Sequence, residues 1–336
     1  MSSELPHLFL CRSPLQLLNC TEASEHFCLR EKETILICAW RAERDKDLMA
    51  NILALYPYWS KVYFFSLYPT KNQWRILREI SKNYREFENL FLGDTTHLIN
   101  IFINKFWKLN EIYWVDDGTA THHRIRQISE RTLHLQKKNF KFRPRWATRI
   151  MSAFGMLPTF AYRSKFFSIY KNNTSPKKID IIKNTLSFTK SNLSNKPQSN
   201  DIWFIGSNIR NEALRNPDDY SEFMRQISLK VDMRNVTYIP HRKESDDYLK
   251  ILSEELGFKI KRLDNILEIE LTKPTPLPEE FISMGSSAID TITALINAKV
   301  RLFKIPIHNC TTERQESIGN MYKDAQHKGI EIIELN

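Results

Sequence analysis

The chain has 336 residues, 42% of them hydrophobic and 26% charged, with a formal net charge of +10. This composition excludes a disordered or fibrous protein, and the length suits two domains of roughly 150 residues each. Only 8 glycines, no internal repeat, no GxGxxG and no GxxxxGK(S/T) exclude a repeat architecture and the usual dinucleotide and phosphate loops, while the positive charge favours an anionic partner: nucleotide, anionic glycan, nucleic acid or membrane surface.

In chain order, HLFLCRS reads as a strand and PLQLLNCTEASEHFCL as an amphipathic helix with Pro14 in its first turn. ETILICA, RDKDLMANILALY, KVYFFSL, NQWRILREISKNYREF, NLFLG, TTHLINIFINKF and EIYWVDDG continue as alternating strands and helices. Such alternation predicts a parallel, doubly wound sheet.

A second series starts at DIWFIGS. A helix in DDYSEFMRQISLKV, a strand NVTYIPH and a helix SDDYLKILSEELG follow; KIKRLD, LEIELTK and FISMGSS read as strands. SAIDTITALINAKV reads as a helix, RLFKIPI as a strand and ERQESIGNMYKDAQHKG as the last helix. The expected architecture is α/β with two Rossmann-like domains facing across a cleft: 1–190, a linker at 191–200, and 201–336.

Within the first of them lies an insert, 131–180, of different composition. From Arg131 to Lys178 there is no Asp or Glu but twelve Lys or Arg, interleaved with aromatics such as Phe140, Trp146, Phe154 and Phe160. An interfacial membrane surface, a nucleic-acid surface and a solvated face over core helices all fit this pattern.

The N-terminus lacks a basic region before its short apolar run, and no stretch reaches the ~18 apolar residues that span a bilayer, so a cytoplasmic protein is expected. Five cysteines without a CxxC pair (Cys11, Cys20, Cys28, Cys38, Cys310) read as buried free thiols.

Three short constellations could carry chemistry. Asp116-Asp117-Gly118 ends the strand IYWV, where catalytic groups of parallel sheets sit. Adjacent residues point to opposite sides, so one carboxylate can serve as general base while the other braces the turn that Gly118 permits. An Asp-Gly turn or a helix N-cap explains the same residues without chemistry. His241-Arg242 ends the strand NVTYIP, where a protonated imidazole beside a guanidinium suits a departing phosphate. Ser286-Ser287 follows Gly285 and opens a helix, either as an ordinary N-cap or as a phosphate site.

The set resembles the bacterial sialyltransferases of GT-B fold, especially the lipooligosaccharide sialyltransferase and capsule polysialyltransferase families. Those carry an (Asp/Glu)-(Asp/Glu)-Gly motif, a His-Pro motif and a paired-serine motif in this order, and the opening LFLCRSPLQLLNCTEA is similar to their first strand and helix. The resemblance implies Asp117 as the base that deprotonates the acceptor, with Asp116 and Gly118 supporting the turn. It implies His241 assisting departure of the CMP phosphate, and Ser286 and Ser287 holding it. It further implies a carboxylate on the nucleotide ribose, Glu270 or else Glu268, and a nucleotide-pocket loop at Gly206, Ser207 and Asn208. Arg242 stands where the family has proline; it adds a second cation and leaves the donor sugar open among nonulosonic acids.

The implied activity is inverting, metal-independent transfer of sialic acid or a relative from a CMP-sugar to a hydroxyl of a lipooligosaccharide or capsule glycan. No cofactor and no nucleic-acid partner are expected, and the basic aromatic insert would make peripheral contact with an anionic inner membrane. The alternatives are a GT-B glycosyltransferase using a nucleotide-diphosphate sugar, a nucleic-acid-binding protein, and a metal-dependent hydrolase using Asp116, Asp117, His122 and His123.

Overall fold

Two strand-forming runs of the N-terminal half are almost wholly apolar, as parallel strands covered on both faces must be. HLFLC and TILICAW are buried along their whole length. The structure, a computed structural model, describes residues 4–68, 70–129, 145–170, 179–193 and 196–336. The chain divides into two compact units, 1–188 and 189–336.

The first unit alternates β1 (His7–Cys11), α1 (Pro14–His26), β2 (Thr34–Trp40), α2 (Glu43–Leu55), β3 (Lys61–Ser66), α3 (Thr70–Asn83), β4 (Glu86–Leu92), α4 (His97–Lys105), β5 (Lys108–Val115) and α5 (Thr119–Ser129). α6 (Arg145–Ala153), a 3-10 turn (Thr159–Arg163), β6 (Lys165–Ser168) and β7 (Ile181–Lys183) follow. All pairings are parallel, in the order β3-β2-β1-β4-β5-β6-β7. The order reverses between β1 and β4, so the crevice at their carboxyl ends is the switch point where such sheets bind ligands.

α1 begins where Ser13 accepts the backbone N–H of Gln16 and Pro14 occupies the first turn. It ends in a Schellman arrangement: Leu29 N–H reaches Ser24 O at 2.9 Å and Cys28 N–H reaches Glu25 O at 3.1 Å. Cys28 takes the left-handed position, φ 55°, usually given to glycine. It is exposed at the helix end, against the expectation of a buried thiol; Cys11, Cys20, Cys38 and Cys310 are buried and free.

α7 (Ser187–Ser191) spans the division of the chain. The second unit contains β8 (Gln198–Ile205), α8 (Ile209–Glu212), α9 (Asp219–Ser228), β9 (Val236–Ile239), α10 (Asp246–Leu256), β10 (Lys259–Ile260), α11 (Leu267–Glu270), β11 (Leu277–Ser283), α12 (Ala288–Leu295), β12 (Lys299–Lys304), α13 (Thr312–His327) and β13 (Glu331–Glu334). Its parallel sheet runs β10-β9-β8-β11-β12-β13, with the switch point between β8 and β11. The α/β class with two Rossmann-like sheets agrees with the sequence reading.

Several assignments differ from the sequence reading. LEIELTK, expected as a strand, contains the helical turn α11. Leu267, Glu268, Ile269 and Glu270 are all buried, so the alternation of side-chain type does not mark an inner and an outer face. KIKRLD pairs only through Lys259 and Ile260, both exposed on the sheet edge. The insert 131–180 contributes a strand, β6, with β7 directly after it, and β13 closes the second sheet. β8 starts at Gln198, within the tract expected as linker.

Candidate functional site

In the first unit, β5 carries the buried run IYWV directly into Asp116, and Gly118 adopts φ 60°, reversing the chain into α5. Asp117 N–H donates to Thr121 Oγ1 at 2.8 Å, which fixes the turn. The two carboxylates are placed on different partners. Asp116, 3% exposed, accepts Ser168 Oγ–H at 2.5 Å and Ile169 N–H at 2.7 Å, just past β6. Asn19 of α1 donates to its backbone carbonyl. Asp116 thus ties the end of β5 to the end of β6.

Asp117 lies instead with groups from the switch point. Arg12, directly after β1, donates from Nη1 to Asp94 Oδ2 at 2.8 Å and to Thr95 O at 3.1 Å. Gln16 accepts Arg12 N–H at 2.8 Å and hydrogen-bonds Asp117. Arg124 of α5 donates to Gly93 O at 2.5 Å, lies 3.5 Å from Asp94 Oδ1 and stacks 4.3 Å from the Trp114 ring centre. Burial pushes Asp117 up to about 6, against Arg124, Gln16 and Arg12, while Asp94 adds to the rise. Burial also pushes Asp116 up to about 7, against its hydrogen bonds from Ser168 and Ile169. A carboxylate near 6 is ionised at neutral pH yet basic enough to share a proton in a transition state.

Arg12, Asp94, Arg124 and Gln16 were not singled out from the sequence. Arg12 and Asp94 did carry a signal: each follows closely on an apolar strand run, at the same end as Asp117.

In the second unit, β9, β8 and β11 are neighbours, so their carboxyl-end loops are adjacent. These loops hold His241 and Arg242, Gly206 and Ser207, and Ser286 and Ser287. Gly206 N–H bonds Ile239 O at 2.9 Å, and a Cβ there would lie 2.9 Å from that carbonyl and 2.5 Å from Glu244 Oε2, so only glycine fits. Ser207 is buried, and Asn208 occupies the N-cap position of the short α8.

Glu244, also missed in the sequence, organises the histidine loop. Its buried carboxylate accepts His241 N–H at 2.6 Å and Tyr238 Oη–H at 2.7 Å, and Tyr238 shares a hydrogen bond of 2.6 Å with Tyr220. Arg262 donates to the carbonyls of Glu244 at 2.7 Å and His241 at 3.4 Å. His241 is half-buried, and its Nδ1 accepts Lys243 N–H at 3.3 Å. Burial, then Arg242 and Lys243, holds its pKa below the usual imidazole range. The imidazolium expected from the sequence is therefore disfavoured in the unliganded loop; a phosphate dianion beside it would favour the proton again.

Ser283 Oγ accepts the N–H groups of Gly285 and Ser286, both at 3.1 Å, and donates to Ile205 O at 2.7 Å. Ser286 Oγ accepts Ala288 N–H at 3.3 Å, whereas Ser287 holds the N-cap position of α12 without making a capping bond. Glu268 and Glu270 are both buried, and Glu268 meets α12, where the Thr291 hydroxyl opposes the rise that burial imposes on its pKa. Glu270, the first choice from sequence, pairs with Lys273 at 2.7 Å and Lys261 at 3.8 Å.

No family model matches the chain, and no curated protein matches it. Among solved structures it is similar to the E. coli heptosyltransferase WaaC with ADP-2-deoxy-2-fluoro heptose, at 8% identity over 96% of this chain and 100% of that one, TM-score 0.45. It is also similar to the S. aureus MnaA-UDP co-structure, at 11% identity over 96% and 87%, TM-score 0.49. A third is Acinetobacter baumannii MurG, at 9% identity over 98% and 86%, TM-score 0.44.

Among the described residues no group of three or more His, Cys, Asp or Glu is placed to hold a metal ion. The side chains of His122 and His123, and residues 131–144 and 171–178 of the insert, lie outside the described residues. No helix among those described is long and apolar enough to cross a membrane.

Proposed function

We propose that the chain is an inverting glycosyltransferase that moves sialic acid or a related nonulosonic acid from a CMP-sugar to a hydroxyl of a lipooligosaccharide or capsule glycan. The observation that supports it most is the pairing of chemistries at the two switch points. One carries a carboxylate held near neutrality beside two arginines; the other carries imidazole, guanidinium and hydroxyls on adjacent strand-end loops.

In this reading Asp117 takes the acceptor hydroxyl's proton as its oxygen bonds the anomeric carbon. The bond from that carbon to the CMP phosphate oxygen breaks, and its electron pair leaves on the phosphate. Arg242, His241, the serine hydroxyls and the N-terminus of α12 offset the charge, so no divalent cation is required. Glu268, set against α12, takes the role of ribose acceptor in preference to Glu270.

Calorimetry with CMP, UDP and GDP tests the donor. Binding of CMP alone is the expected result; preference for UDP or GDP rejects the CMP-sugar in favour of a nucleotide-diphosphate donor. Turnover that disappears in excess EDTA and returns only with a divalent cation would refute metal independence.

The same reading places the acceptor at the inner membrane leaflet. In the first unit the segment that follows α6 is tied to α4 through Asn104, which donates to Gly155 O and Leu157 O. Ile150, Phe154 and Phe106 are exposed there beside the exposed cations Arg149 and Lys105, a combination suited to anionic headgroups. Sedimentation with anionic liposomes should show salt-sensitive binding, and its absence rejects the membrane contact.

A further inference from the structure

The charged groups around Asp117 come from four places: Arg12 past β1, Asp94 past β4, Asp116 at its own strand end and Arg124 on α5; Gln16 of α1 is the uncharged neighbour. Beyond Arg12 lie Arg41 and Tyr68. Two arginines thus balance Asp94 and Asp117 at the switch point.

The two arginines are not equivalent. Arg12 spends its Nη1 on Asp94 and Thr95. Arg124 is held on three sides: by the face of Trp114 at 4.3 Å, by the Gly93 carbonyl at 2.5 Å and by Asp94 at 3.5 Å, with its side chain 11% exposed. A planar guanidinium stacked and tethered in this way is a fixed charge, where a lysine ammonium would swing. Trp114 precedes the aspartate pair on the same strand, so strand, clamp and carboxylate form one rigid piece.

We propose that Arg124 is the positioning residue for Asp117: the Trp114, Gly93 and Asp94 clamp holds one guanidinium in a set place beside the carboxylate that receives the acceptor's proton. This rests on the reading of Asp117 as the base. Arg124 opposes the rise that burial imposes on Asp117, more strongly than Gln16 or Arg12 does. Without it, a smaller fraction of Asp117 is ionised at neutral pH and able to take the acceptor's proton.

The test follows the Asp117 carboxyl by 13C NMR in the full chain, its signal identified by loss in Asp117→Asn, alongside the pH dependence of transfer. In Arg124→Gln the titration midpoint and the acidic limb of the rate should rise together by about one to two pH units. Arg124→Lys keeps the charge but loses the stacked fork, and should show a smaller rise. A midpoint unmoved in both variants, with transfer reduced equally at every pH, overturns the proposal and leaves Arg124 a packing residue. A midpoint that rises while the rate ignores it supports the clamp and refutes Asp117 as base.

Discussion

The buried carboxylate of Glu244 accepts the backbone N–H of His241 at 2.6 Å, while its other oxygen accepts the hydroxyl of Tyr238 at 2.7 Å. One side chain therefore sets where the histidine loop leaves β9. Glu244→Ala removes the acceptor shared by the His241 N–H and the Tyr238 hydroxyl and should cost about 1–3 kcal/mol in urea denaturation. Donor binding should weaken with it. Unchanged stability and unchanged CMP affinity would mean that the loop holds its shape without this carboxylate.

Asp116 predicts a pH-dependent stability. Its folded pKa, about 7, lies above the ordinary 3.8. The folded chain thus keeps a proton that the unfolded chain releases, and the gain is complete only below pH 3.8 and lost as pH rises through 7. Denaturation at pH 5 and pH 8 should show a drop on the order of 3 kcal/mol that Asp116→Asn removes. An equal drop in the variant would assign it to other groups.

Cys28 holds a left-handed backbone, φ 55°, with an exposed side chain. Cys28→Gly should therefore stabilise the chain by about 1 kcal/mol, read as a higher denaturation midpoint. A lower midpoint would show that the side chain makes contacts worth more than the strain.

Much of the fold was legible because central parallel strands are written as unbroken apolar runs: LFLC, TILICA and IYWV each became a strand. β6 was hidden because its KFFS sits in a tract so basic and aromatic that its composition suggested a surface, although Phe166 and Phe167 are buried. LEIE misled because alternation alone cannot tell a strand from one helical turn buried on every side.

The strand-end aspartates, histidine and serines were visible in the sequence as residue types at the ends of strands. Their settings were not. Arg12 and Asp94 meet across 82 positions and Arg124 and Gly93 across 31, so their roles arise only once β1, β4 and β5 lie side by side. Glu244 was close in sequence to His241, but its value depends on burial and on Tyr238, which no local pattern announces.

Asp117→Asn is the most direct measurement of the central claim, because it keeps the shape of the side chain and removes its basicity. Transfer should fall about 10³-fold while calorimetric affinity for CMP stays that of the unaltered protein. Turnover within about tenfold of the unaltered protein, or a loss of CMP binding equal to the loss of turnover, would contradict the assignment of Asp117 as the base.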